Sequence, residues 1–201
     1  MVCAVKLFFH KAEKVNIIDK INFVKSIMIA FLQNTLGPYY QYIKFIHLFF
    51  VMIWLWSTAV GFVHYLLPVF KAWRRDPDDD DIRTMRDWVM ERFDHGVIYE
   101  HVAFPMILLT GPLLWIVGGW TPASGWFVMK LVIILGIYLP IEFCDYYLSH
   151  FGGNKERLRK LGDEAAYERG VQRHWMFFLV TSPPIMMFGL MVVFLAVVKP
   201  F

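Results

Sequence analysis

Trp126-Phe-Val-Met-Lys130-Leu-Val-Ile-Ile-Leu-Gly136-Ile-Tyr138-Leu-Pro140-Ile-Glu142-Phe-Cys144-Asp145-Tyr-Tyr-Leu-Ser149 is apolar or aromatic almost throughout, yet it carries Lys130, Glu142 and Asp145. A helix rises 1.5 Å per residue, so about 20 apolar residues cross a bilayer, and this run is long enough. Three other windows, about 43–69, 97–119 and 175–198, meet the same requirement. Short alternating segments, the mark of an outer-membrane barrel, are absent. Hydrophobic residues make up 58% of the 201 and aromatics 18%, and the mean hydropathy is +0.48, too apolar for an ordinary soluble domain. The expected fold is therefore all-α: an integral membrane four-helix bundle over residues 41–201, with an N-terminal extension over 1–40.

Loop charge sets the expected orientation. Residues 71–94 hold Lys71, Arg74, Arg75, Arg83, Arg86 and Arg92, and 151–173 hold Lys155, Arg157, Arg159, Lys160, Arg169 and Arg173, whereas the 120–125 connection is uncharged. Basic loops stay cytoplasmic, so the neutral connection and both chain ends are expected to face outward from a bacterial inner membrane crossed several times. Residues 1–37 oppose this, because Lys6, Lys11, Lys14, Lys20 and Lys25 favour the inside. A weak fifth crossing around 15–36, an interfacial amphipathic helix, or an upstream extension with Met28 as the natural start would each account for them. Asp19, Lys20 and Lys25 favour the interfacial helix.

Arg83–Asp94 and Asn154–Arg173 mix helix formers with both charge signs and predict helical cytoplasmic loops. Asp76-Pro-Asp-Asp-Asp-Asp81 lacks the alternating ligands and late glutamate of a calcium loop, and predicts a solvated linker ending in a helix N-cap. Cys3 and Cys144 stand alone, indicating neither a disulfide framework nor a zinc motif. The net charge of +3 follows from topology and gives no reason to expect nucleic acid as a partner.

The informative residues are the ionisable ones inside the spans. Charge there is costly, usually faces the bundle interior, and marks cofactor, proton or substrate sites. His47 and Lys130 fall at one level near the neutral end. Trp54, seven residues after His47, shares its helix face. A neutral imidazole suits haem iron, and a lysine in an apolar slot suits a porphyrin propionate or another carboxylate. The plainer alternative is a histidine meeting headgroup water and a snorkelling lysine.

Toward the charged end lie His64, His101, Tyr138, Glu142 and Asp145. His64 follows His47 by seventeen residues, about 26 Å along a helix, so the two cannot serve one small ligand. Tyr138, Glu142 and Asp145, spaced four and three apart, share a face. Three uses remain open for this level: bis-histidine haem ligation by His64 and His101, a metal site adding Glu142, or a proton path through the carboxylates. No Glu-x-x-His pair of the di-metal bundles lies within a span. A purely structural alternative has Glu100, His101 and Asp145 anchoring helix ends. Pro105, Pro112, Pro140 and Pro183-Pro184 are expected to bend their helices and open room between them.

Four local patterns resemble the HemJ-type protoporphyrinogen IX oxidase superfamily of small four-helix haem b membrane proteins. They are His47 with Trp54; Met90-Glu91-Arg92 ahead of Pro105-Met106 and Gly111; Gly125-Trp126 with Lys130; and the closing Val197-Val198-Lys199-Pro200-Phe201. The chain departs from that family where an arginine–histidine pair would end the first span, where a tyrosine–histidine pair would lie in the third, and at Thr181-Ser182-Pro183-Pro184, where the family tends to carry Asn-Glu before a proline. The resemblance implies a divergent member in which His47 is a candidate haem ligand and Lys130 a porphyrin-site residue, flanked by Trp126.

The expected function is a haem b-binding membrane redox protein, either oxidising a porphyrinogen or passing electrons to quinone, with Lys130, Glu142 and Tyr138 as candidate catalytic groups. Cofactor and metal contacts are expected from His47, His64 and His101. Two alternatives stand beside it. One is a non-catalytic subunit or assembly factor, as a homo-oligomer or with a partner membrane subunit. The other is a metal-dependent membrane enzyme.

Overall fold

The structure, a computed structural model, describes residues 17–201. Cys3 and the lysines before residue 17 lie outside them. Among the described residues every regular element is helical. The helices are α1 Ile17–Leu36, α2 Tyr40–Val60, α3 Leu67–Arg75, α4 Asp80–Gly96, α5 Ile98–Gly118, α6 Gly125–Ile133, α7 Leu139–Tyr146, α8 Lys155–Lys160 and α9 Glu164–Val198. Four helical runs are long and apolar enough to cross a membrane, one built on each of the expected windows. The bundle has a neutral end, formed by Gly37–Tyr39, the 119–125 turn and the last residues, and a charged end formed by α4 and α8.

Burial is inverted relative to a soluble bundle. Large apolar side chains such as Trp56, Leu109, Val132, Phe143, Leu190 and Val197 point outward, while Glu142, Asp145, His174 and Lys155 are buried. Such a surface suits lipid, and polar groups denied water must find partners inside. Two apolar clusters fill the interior, one around Trp54, Phe104, Phe127 and Ile185, the other around Met90, Val171 and Trp175. On α5 the polar pair Glu100–His101 falls between Val97 of the second cluster and Ala103 of the first.

Helix starts follow the capping residues. Asp79 accepts from the amides of Asp81 and Ile82, Asn154 from Arg157, and Asp163 from Ala166. The acidic 76–81 stretch is thus a linker and cap. The segments expected to be helical beyond the spans form α4, α8 and the first turns of α9, and they are tied by ion pairs. Arg86 bonds Asp87 and Glu168 at 2.8 Å, and Arg159 bonds Glu91, which also accepts from Tyr167.

The prolines act unevenly. Wide i→i+5 turns occupy Gly61–Leu66 and Ile134–Tyr138, just before Pro68 and Pro140, where the proline ring displaces the preceding turn. A third, Tyr147–Phe151, precedes Gly152-Gly153. Helices α5 and α9 continue through Pro105, Pro112, Pro183 and Pro184. Where α9 crosses α2, Gly189 permits the approach: a Cβ there would lie 2.4 Å from Leu55 Cδ2. Gly189→Leu is expected to cost about 1–3 kcal/mol by overpacking. A thermal midpoint equal to wild type in detergent would contradict this packing.

Candidate functional site

At the neutral end, α2 carries His47 against α5. The His47 Nδ1 lies 2.8 Å from Thr110 Oγ1, and that hydroxyl donates its one proton to the Met106 carbonyl at 2.6 Å. Thr110 therefore has only lone pairs to offer, so His47 Nδ1 carries the proton and donates. This fixes the tautomer and leaves an Nε2 lone pair, for which there is no hydrogen bond among the described residues. Lys130 is close enough to act electrostatically on His47. Its ammonium stands 5.8 Å from the Trp120 ring, and Lys199 approaches the same ring at 5.4 Å and Trp126 at 5.5 Å. Trp126 is buried edge-on to Trp120.

Trp54 belongs to a different group. Its indole donates to Glu142 Oε1 at 2.6 Å, and its ring meets Tyr138 edge-on at 4.8 Å. Tyr138 donates to the Ile185 carbonyl at 3.1 Å, so its hydroxyl ties α9 to the wide turn after α6. Nearby, Ser57 donates to Glu100 Oε1 at 2.5 Å, and Thr58 Oγ1, which donates to the Trp54 carbonyl at 3.1 Å, lies 3.4 Å from the same carboxylate oxygen. Glu100, Glu142 and Asp145 lie within electrostatic range of one another.

The largest polar assembly among the described residues is a chain of six side chains from α4, α5, α8, α9 and the run through α7. His150 Nε2 meets His101 Nδ1 at 2.7 Å, and His101 Nε2 meets Asp145 Oδ2 at 3.2 Å. Asp145 Oδ1 accepts from His174 Nε2 at 2.8 Å, His174 Nδ1 contacts the Lys155 ammonium, and Lys155 Nζ bonds Asp94 Oδ1 at 2.5 Å. Lys155 also donates its own amide to Asp94 Oδ2 at 2.8 Å. An ammonium only donates, so His174 Nδ1 accepts and its Nε2 holds the proton given to Asp145. Lys155 and His174 are wholly buried, so each depends on these partners.

The two levels expected from sequence are both present with altered membership. His101, Tyr138, Glu142 and Asp145 line the interior, but His64 is exposed. The reason is the wide turn at Gly61–Leu66, which advances the buried face by a residue: Leu66 and Val69 follow Gly61 inward, and His64 turns away. His64 and His101 consequently do not form a ligand pair. Both nitrogens of His101 are engaged by Asp145 and His150, and Glu142 is held by Trp54. Among the described residues no group of three His, Cys, Asp or Glu side chains could hold a metal ion, so the metal site built on His64, His101 and Glu142 does not form.

Sequence reasoning did not assign Asp94, His150, Lys155 or His174 to the site. Each stands in a segment that looked like loop or span edge. Comparison with family models, curated proteins and solved structures finds no match to this chain.

Proposed function

We propose that this protein binds haem b in a membrane and acts in redox chemistry, as a divergent relative of the HemJ-type superfamily. The observation that carries this reading is the 2.8 Å contact of His47 Nδ1 with Thr110 Oγ1, whose own proton goes to the Met106 carbonyl. With Nδ1–H committed to Thr110, the Nε2 lone pair would be left for iron, as where an outer acceptor orients a ligating imidazole. Lys130 and Lys199 beside the Trp120 and Trp126 rings would hold propionates, and Trp126 would pack against the porphyrin. Bound haem would supply one-electron chemistry. Tyr138 and Glu142 would hold or move the protons of a porphyrinogen or quinone substrate deeper in the bundle. In this reading the membrane is a bacterial inner membrane, the charged end is cytoplasmic, and α1 lies in the interface with Lys20 and Lys25 toward the headgroups.

Purification with full haem supply during expression, followed by a reduced-minus-oxidised spectrum and pyridine-haem quantitation, tests the proposal. A haem b spectrum is expected, and a preparation without a Soret band would refute it. Thr110→Val provides a finer check. Without its acceptor the imidazole is a poorer donor to iron, so haem affinity should fall roughly 10-fold and the midpoint potential should rise. Titrations giving the wild-type affinity and potential would exclude this role for Thr110.

A further inference from the structure

The imidazole pair His150–His101 has a property not shared by the rest of the chain of polar groups. His174 is fixed in one tautomer, because Lys155 can only donate to its Nδ1. His101 Nε2 faces a carboxylate and is likewise a donor. The contact between His101 Nδ1 and His150 Nε2, at 2.7 Å, can hold its proton on either nitrogen. With the proton on His150 Nε2, His101 is neutral. With the proton on His101 Nδ1, His101 is an imidazolium beside Asp145, and His150 can take a replacement proton from water at its own Nδ1. The two arrangements differ by one proton, taken from water at His150 and stored on His101.

Charge balance favours storage. Asp94 and Asp145 are opposed by a single ammonium, Lys155, in a region closed to solvent. One further positive charge on an imidazole would balance the set, and low dielectric makes that balance energetically significant. Position favours it too. His101 is shut in, with its side chain 5% exposed, whereas His150 is only partly buried at the charged end. The wide Tyr147–Phe151 turn is what makes the pair: an i→i+5 turn returns residue 150 to the face of Asp145, which a regular helix would not do.

We propose that His150 and His101 form a proton-loading relay, through which water at the charged end exchanges one proton with the Asp145-lined interior of the bundle. The groups facing His101 are His150, Asp145, the Tyr146 ring and, within electrostatic range, Glu100 and His174. His150 faces His101 and Tyr146, with Asp145 and Lys155 within range. Asp145, the stored proton and the nearby Glu100 and Glu142 make a reservoir. Its service to a substrate oxidised in the interior rests on the haem reading, and the relay itself does not.

The test is histidine ring N–H exchange with water, followed by NMR on ¹⁵N-histidine-labelled full-length protein in lipid nanodiscs. Wild-type His101 should exchange rapidly at Nδ1, the nitrogen the relay loads, despite its burial. In His150→Gln the amide keeps a hydrogen bond to His101 but cannot take a proton on one side and release one on the other. His101 exchange should therefore slow by about tenfold or more, a factor worth ~1.4 kcal/mol in barrier. Loosening of the fold would speed exchange, so the sign separates relay from structural damage. His95→Gln, at an exposed histidine that pairs with Glu156 and makes no contact with His101 or His150, should leave the rate unchanged. His101 exchange in His150→Gln that equals or exceeds the wild-type rate overturns the relay. The readout is independent of any haem spectrum, so this proposal and the haem reading fail separately.

Discussion

If His47 ligates haem as proposed, His47→Ala is expected to abolish haem retention while leaving the helical bundle intact. His47 sits near the neutral end among half-exposed neighbours, and its only hydrogen bond among the described residues is the one to Thr110. Losing it leaves Thr110 still bonded to the Met106 carbonyl, so no buried donor is orphaned. The stability cost should be small, about 1 kcal/mol. On the proposed haem reading the ligand loss is, by contrast, complete, because among the described residues no second imidazole lies at that level. His64 is turned out of the bundle, and His101 spends both nitrogens elsewhere. Pyridine-haem assay of the purified variant should give no haem at unchanged circular dichroism and midpoint. Lys130→Met should retain haem more weakly, because a charge-assisted contact of about 1.5–3 kcal/mol is lost while the ligand stays. Wild-type haem content in both variants would support the scaffold or subunit alternative.

The spans were legible because hydropathy and length are local quantities. Trp126–Ser149 could be identified as a crossing without knowing any partner, and the caps at Asp79, Asn154 and Asp163 declare themselves by residue type. The face of each helix was legible only where the turn stayed regular. Tyr138, Glu142 and Asp145 keep their expected common side, since the wide turn ends at Tyr138. His64 and His150 lie within wide turns, and both depart from α-helical phase, one turned out and the other turned in. Pro68 was a visible signal for the first. The Gly152-Gly153 pair was a fainter one for the second.

Lys155, Asp94 and His174 were hidden for another reason. A lysine opening a helix after Gly-Gly-Asn, amid arginines and lysines, has the sequence context of a solvated loop. Only tertiary placement, with Asp94 arriving from α4 and His174 from α9, makes it a core residue. The one sequence sign was that Asp94 and His174 stand at the junction of a charged segment with an apolar one, where a helix passes from water into the bundle. Such junctions are where paired charges can enter a membrane protein without being stranded in hydrocarbon.

Breaking the Asp94–Lys155 pair should cost the most stability of any single change at the charged end. Asp94 divides its two oxygens between the Lys155 ammonium at 2.5 Å and the Lys155 amide at 2.8 Å, so one carboxylate both neutralises a buried cation and caps α8. Asp94→Leu leaves Lys155 with only the His174 nitrogen, in a site with no exposure. An uncompensated buried charge of this kind costs about 3–5 kcal/mol. Lys155→Met strands Asp94 instead, and frees His174 Nδ1 from the donor that fixes its tautomer. The double variant Asp94→Leu/Lys155→Met removes both charges together and should recover part of the loss, because two apolar side chains need no partners there. It cannot recover all of it, since the Lys155 amide loses its acceptor and His174 its donor. The midpoints of the four proteins in one lipid nanodisc preparation form a double-mutant cycle, and a coupling of about 2 kcal/mol or more is expected. Additive single effects would mean that the ammonium and carboxylate are solvated independently, and the buried chain from Asp94 to Asp145 would lose its anchor. Strong coupling would instead make Asp94–Lys155 a self-neutralising buried pair, leaving the Asp145 carboxylate as the charge that a proton on His101 balances.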